Sequence, residues 1–293
     1  MTVRLTAGAV SVGVDPMAGG RLSSLVIHGR ERLVTDPDPS AVLPAITWGS
    51  FAMLPWVGRL SHGRFAWRGT TLELPRNFGA HAIHGATFDC EWNVLAAGSG
   101  SLELGCDLGS TGRWPFDAEA RQSFALLPDA LELRIEVRAR VPMPLAVGWH
   151  PWFQRAPDEP ILVRVPATTV LETTDDLIPT GAVLPVTAVT DLRTGPDIAD
   201  RRLDHTYVDV QGPSVIAWTD LELSIEARPL RSVVVYTTPF SVCIEPQSGW
   251  PDAIRLDSQG VDAGLASLAA GDTFVAESRW SWHTRTGDQA GVF

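Results

Sequence analysis

Leu131 Glu132 Leu133 Arg134 Ile135 Glu136 Val137 Arg138 alternates apolar and charged side chains without a break. An extended backbone turns successive side chains to opposite faces, so these residues predict a strand with one face for a core and one for water. Leu221 Glu222 Leu223 Ser224 Ile225 Glu226 Ala227 repeats the pattern. Outward from these two runs, turn-forming residues punctuate the chain at Asp15-Pro16 to Gly19-Gly20, Arg68-Gly69, Gly98-Ser99-Gly100, Pro128-Asp129 and Gly212-Pro213. Short strands between tight turns pair as antiparallel hairpins. With 26 Gly and 22 Pro scattered throughout, few stretches can sustain a helix, and the weak candidates are Phe51–Leu54 and Asp262–Ala269. One-faced antiparallel strands bury their apolar side only when two sheets pack together or one sheet closes on itself. The expected class is therefore all-β, a large antiparallel β-sandwich or barrel with few short helices. No linker or repeat divides the chain, so a single domain over residues 1–293 is expected, with Val183–Arg202 as a long surface loop.

Composition narrows the function classes. The 293 residues are 45% hydrophobic and include 11 Trp, enough apolar material to exclude intrinsic disorder. Against 34 carboxylates stand 23 cations, all of them Arg, for a net charge of -11. A chain without Lys has neither a Schiff-base lysine nor a phosphate-loop lysine, and its acidic surplus argues against nucleic acid as a partner. Cys90, Cys106 and Cys243 are an odd, widely spaced set that fits neither a disulfide framework nor a zinc knuckle, which points to a reducing cytoplasm. Alternation from Thr2 to Val14, broken by Asp15-Pro16, is not a signal segment, and no window approaches the roughly 18 apolar residues of a membrane helix. A soluble protein with no membrane partner is expected.

Four places set polar groups in apolar company. Arg59 lies in Pro55 Trp56 Val57 Gly58 Arg59 Leu60, either turned inward to a partner or covering Trp56 with its stem. His81 and His84 occur in Asn77 Phe78 Gly79 Ala80 His81 Ala82 Ile83 His84 Gly85, a loop whose glycines allow close approach; solvated imidazoles are the competing reading, more so for His81. His150 sits among Trp149, Trp152 and Phe153, where poor solvation favours a neutral ring, as a proton carrier or as a core histidine bonded to a carbonyl. Glu245 ends the apolar strand through Val242 Cys243 Ile244, where a carboxylate is costly unless used or paired. Desolvation there raises its pKa toward the range of a general base. Two His and one Glu are also a metal-ligand set, although their spacing lacks the i, i+4 pattern of a helical site.

In order and spacing, these segments resemble the aldose 1-epimerase (galactose mutarotase) family along nearly the whole chain. The resemblance is carried by Gly19 Gly20 Arg21 Leu22 Ser23 Ser24 Leu25, Gly58 Arg59 Leu60, Asn77 with Ile83 His84 Gly85, Phe88 and Trp92, Gly148 Trp149 His150 Pro151 Trp152 Phe153, Leu203 Asp204 His205 Thr206 Tyr207, and Cys243 Ile244 Glu245 Pro246 Gln247 through Pro251 Asp252 Ala253. It implies a galactose mutarotase-like supersandwich, a cleft for a monosaccharide, and no metal or organic cofactor. Gly58 departs from the usual Asn, Ala86 from a common second Gly, and the Gly-Trp-His-Pro form from the galactose-type histidine motif. On this reading Glu245 is the base and His150 the acid that exchange α and β anomers by ring opening. His84, Arg59 and Asp204 hold sugar oxygens, and Trp152 or Trp149 stacks on the sugar's apolar face. Two rivals remain: a hexose-6-phosphate epimerase with a phosphate clamp from Arg59, Arg64, Arg76 or Arg113, and a sugar-binding protein without turnover.

Overall fold

The alternating 131–138 run lies within the strand Ala130–Ala139, where Leu131, Leu133, Ile135 and Val137 are buried while Glu132 and Arg138 are exposed. It pairs with Ala118–Leu126 on one side and Thr273–Thr284 on the other, and Leu221–Arg228 pairs with the far edge of Thr273–Thr284. The structure, a computed structural model, describes residues 2–156 and 158–285. These strands belong to an eight-stranded antiparallel sheet. An eleven-stranded sheet faces it, running in spatial order through Val3–Ala7, Val10–Asp15, Arg21–Ile27, Ser50–Met53, Gly148–Gln154, Ser241–Gln247, Ser232–Thr237, Asp204–Val208, Thr169–Thr173 and Pro179–Pro185, with Arg30–Glu31 beside Arg21–Ile27. The sheets meet through rings such as Phe153 of the larger sheet, whose centroid is 5.5 Å from Trp280 and 5.9 Å from Trp218.

The expected all-β class is what the chain adopts, and the five turn clusters fall between strands. Both helix expectations are corrected. Ser50–Met53 is a strand with all four residues buried, because a short apolar run suits an interior strand as well as a helix. Ala266–Leu268 is a strand paired with Met143–Leu145. The one α-helix among the described residues is Ala253–Ser258, begun where the Asp252 carbonyl accepts the Leu256 N–H. Val183–Arg202 is corrected in part. Its first residues complete the Pro179–Pro185 strand; residues 186–202 form no strand or helix, as expected of a loop, but are anchored by the fully buried Leu192 and Ile198. The expected unit over 1–293 extends past the described residues.

At the centre of the larger sheet, Gly148–Gln154 lies between Ser50–Met53 and Ser241–Gln247. Trp149, Phe153, Val242 and Ile244 point into the inter-sheet core, which leaves His150, Trp152, Cys243, Glu245 and Gln247 on the opposite face.

Candidate active site

Strand register assembles the floor of the site. Trp152 pairs with Cys243, Cys243 with Tyr236, and Tyr236 with Asp204, giving one row across four strands. The next row runs Phe51, His150, Glu245, Val234, Thr206, since Gly148 opposite Gln247 and Trp152 opposite Cys243 set His150 against Glu245. Strand neighbours are about 4.8 Å apart, so residues 95 positions distant in sequence come into contact without any loop having to be precise. The His150 Nε2 lies 3.3 Å from Glu245 Oε1.

Two short strands bring in the remaining groups. Arg59–Leu60 pairs with Ala82–Ile83, and the His84 N–H donates to the Gly58 carbonyl at 3.0 Å. Asn77 pins this loop, its Oδ1 accepting from the Ile83 N–H at 2.9 Å. Gly85 follows at φ 81°, and a Cβ there would drive into the Leu54 carbonyl. Gly58, where Asn was the expected family residue, has φ 57° and would place a Cβ 2.6 Å from Pro251 Cβ, so Pro251 fills the space a side chain would need.

A cavity of about 240 Å³ lies over this floor, lined among others by Arg59, His84, His150, Trp152, Asp204 and Glu245. All six site residues expected from the sequence therefore share one hollow. Trp152 lines it, with its ring parallel to His150 at 5.3 Å, whereas Trp149 sits in the inter-sheet core. Arg59 lines the cavity and its guanidinium lies over Phe78 at 5.5 Å. His84 and His81 are 7% and 5% exposed, so neither is solvated. Among the described lining residues Arg59 is the one arginine; Arg113 instead pairs with Asp89, and Arg64 lies 3.9 Å from Glu73 at the surface.

Burial sets the charge states. It raises the Glu245 pKa well above the ordinary glutamate value, reinforced by the Asp204 carboxylate, while Gln247 and Arg59 oppose the shift. Burial likewise raises Asp204, against the pull of Arg59 and His205. His150, stacked between Phe51 and Trp152, is pushed by burial down to about 3, with the Arg21 cation adding to the shift. His84 is lowered by burial, His150 and Arg59. Two neutral imidazoles therefore stand beside a carboxyl group whose ionisation burial opposes. Among the described residues, the donors that approach metal-ligand spacing are not the two-His, one-Glu set but His150, Cys243 and Glu245, whose ligand atoms all lie within 4.8 Å of one another.

The family model for aldose 1-epimerase matches residues 1–281. The chain belongs to the aldose 1-epimerase family. Its E. coli (strain K12) relative YphB, an uncharacterised protein, is 29% identical over 111 residues, which span 36% of this chain and 37% of that one. Solved structures share the architecture at lower identity. The aldose epimerase homologue from C. elegans superposes with a TM-score of 0.84 at 17% identity, covering 98% of this chain and 99% of that one. A galactose 1-epimerase from Lactobacillus acidophilus NCFM gives 0.79 at 17% identity, covering 97% and 95%.

In this aldose 1-epimerase family member, sequence reading missed several lining residues: Thr173, Leu177, Pro179, Thr206, Tyr236 and Gln247. Gln247 was legible, since it alternates with Glu245, and its Nε2 donates to Glu245 Oε2 at 3.3 Å. Thr173, Leu177 and Pro179 belong to a wall fastened from outside. The His62 N–H donates to His81 Nδ1 at 3.1 Å, which leaves the proton on Nε2, and Nε2 donates to Asp176 Oδ2 at 3.0 Å. At the far end of the loop, Arg255 donates to the Pro179 carbonyl at 2.6 Å. Asp176→Ala is expected to accelerate amide exchange of residues 173–178 several-fold by mass spectrometry, while Asp176→Asn, which keeps an acceptor, retains most of the protection. Equal protection in parent and Asp176→Ala would show that the contact does not hold the wall.

Proposed function

We propose that this chain is a mutarotase, interconverting the α and β anomers of an unphosphorylated aldose. The observation that carries the proposal is the 3.3 Å contact of His150 with Glu245 on the floor of a cavity also lined by Arg59, His84 and Asp204. Anomer exchange moves a proton from the anomeric hydroxyl to the ring oxygen, opening the pyranose to an aldehyde that rotates and recloses. Those two oxygens share one carbon, so an acid and a base in mutual contact can serve both at once. Ionised Glu245 accepts the hydroxyl proton. Neutral His150 donates its Nε2 proton as the C–O bond breaks and negative charge develops on the ring oxygen, then recovers a proton from Glu245 through their contact. Arg59 and His84 hold sugar oxygens, Asp204 accepts from hydroxyls, and Trp152 offers an apolar face.

Two considerations support a neutral sugar. One arginine faces two carboxylates among the described lining residues, and two of the four arginines weighed for a phosphate clamp are engaged elsewhere with Asp89 and Glu73. A phosphate dianion brought into this setting gains one cation and meets two groups of its own sign. Mutarotation of freshly dissolved α-D-glucose and α-D-glucose 6-phosphate should therefore differ, with kcat/KM at least about tenfold higher for the free sugar, a difference of about 1.4 kcal/mol. A higher value for the phosphate ester would reverse the assignment. Sugar binding with no acceleration of anomer exchange would establish a binding protein instead.

A further inference from the structure

Cys243 is fully buried beneath the cavity and takes no part in the proton transfer above. Its position follows from the strand: two residues before Glu245, it shares that carboxylate's face, and its register partner Trp152 is two residues from His150. A thiol, an imidazole and a carboxylate thus converge from two neighbouring strands, with ligand atoms within 4.8 Å and the His150 Nε2 to Glu245 Oε1 separation at 3.3 Å. Tetrahedral bonds of about 2.0–2.3 Å place donor atoms about 3.4–3.6 Å apart, so nitrogen and oxygen already stand at ligand spacing and the sulfur, within 4.8 Å of both, needs to close by no more than about 1 Å.

We infer that His150, Cys243 and Glu245 form an inhibitory site for a thiophilic divalent cation, such as Cd²⁺ or Zn²⁺, with a fourth position open to the cavity. His150 is neutral and costs no net proton to ligate through Nε2, because its one ring proton then sits on Nδ1, which has no other hydrogen-bond partner among the described residues. Gln247 orients the carboxylate from behind, the kind of supporting contact that metal ligands carry. A thiol and a carboxyl group ligate as anions, so binding releases the Sγ proton, and any proton on Glu245, to solvent as the metal bonds form. A hard cation such as Mg²⁺ prefers six oxygen ligands and does not displace that proton. The metal occupies the acid and the base together, so the same event blocks mutarotation. Only the inhibition rests on the mutarotase reading; metal binding does not.

The test is titration of the full chain with CdCl2, following the ultraviolet thiolate-to-cadmium band and mutarotation in parallel. The expected result is one Cd²⁺ per chain, a band and inhibition that rise together, and no effect of MgCl2. Cys243→Ser should abolish the band and raise the concentration for half-inhibition at least about tenfold, since losing a direct ligand weakens binding no less than losing a supporting contact. The double variant Cys90→Ser/Cys106→Ser should keep both. A band that survives Cys243→Ser and disappears in the double variant overturns the inference, as does the absence of any band in the parent. Cys243→Ala serves if the serine variant does not fold. A Cys243-dependent band in a protein without measurable mutarotation leaves the metal site standing and sinks the catalytic reading.

Discussion

Glu245→Gln is expected to lower kcat/KM for anomer exchange by about 10²–10⁴-fold, the range of a positioned general base, while making the folded protein more stable at neutral pH. Both effects come from one cause. Burial and Asp204 hold the folded-state pKa of Glu245 above its ordinary value of 4.5. Between those two values the unfolded chain has already lost a proton that the folded chain retains, so stability falls as pH rises through this window. Glutamine has no such proton. The variant's advantage should be absent at pH 4.5 and below and grow toward alkaline pH, as read from urea midpoints at several pH values. In the parent, kcat/KM should decline on acidification with a midpoint above 4.5, with no second limb from His150 in that range because its value is about 3. Mutarotation by Glu245→Gln near the parent rate would remove Glu245 from the chemistry. Equal urea midpoints for parent and variant at every pH would remove the electrostatic account.

The second large effect concerns stability alone. Arg21 is 1% exposed and donates to the carbonyls of Ala18 at 2.7 Å, Trp48 at 3.0 Å and Phe88 at 2.5 Å, with its guanidinium 4.3 Å from the Trp48 ring centroid and 5.2 Å from that of Phe51. Burial brings its pKa down to about 10, against the pull of Asp89 and Asp15, and it remains a cation at neutral pH. Arg21→Met keeps the stem and removes the donors, leaving carbonyls from three segments without them. At about 1.5–3 kcal/mol for each hydrogen bond to a charged group, with some recovery by relaxation, the expected loss is about 3–5 kcal/mol. The urea midpoint should fall with the slope unchanged. A loss under about 1 kcal/mol would mean that these carbonyls find other donors and that Arg21 does not tie the segments together.

Arg21 also marks where sequence reading stopped. Gly19 Gly20 Arg21 was visible as a motif, but the burial of its cation depends on Trp48 and Phe88, which no local pattern connects to it. Arg32, also 1% exposed, meets Asp220 at 2.6 Å across 188 positions, and His81 meets Asp176 across 95. The floor of the site was more legible. Alternation in Ser241–Gln247 sets Glu245 apart from Val242 and Ile244, and the aromatic setting of His150 distinguishes that ring from a solvated one. What period-two reasoning could not supply was register, which decides that His150 opposes Glu245; that Trp152 and not Trp149 shares the face of His150 follows from alternation itself.

The division between floor and walls has an evolutionary consequence. The groups proposed to move protons hang on central strands whose spacing the sheet enforces, while the sides of the hollow come from connecting segments, 41–47 and 173–179 among them. Insertions and exchanges in those segments can re-tailor which sugar is admitted while the inherited chemistry stays fixed beneath.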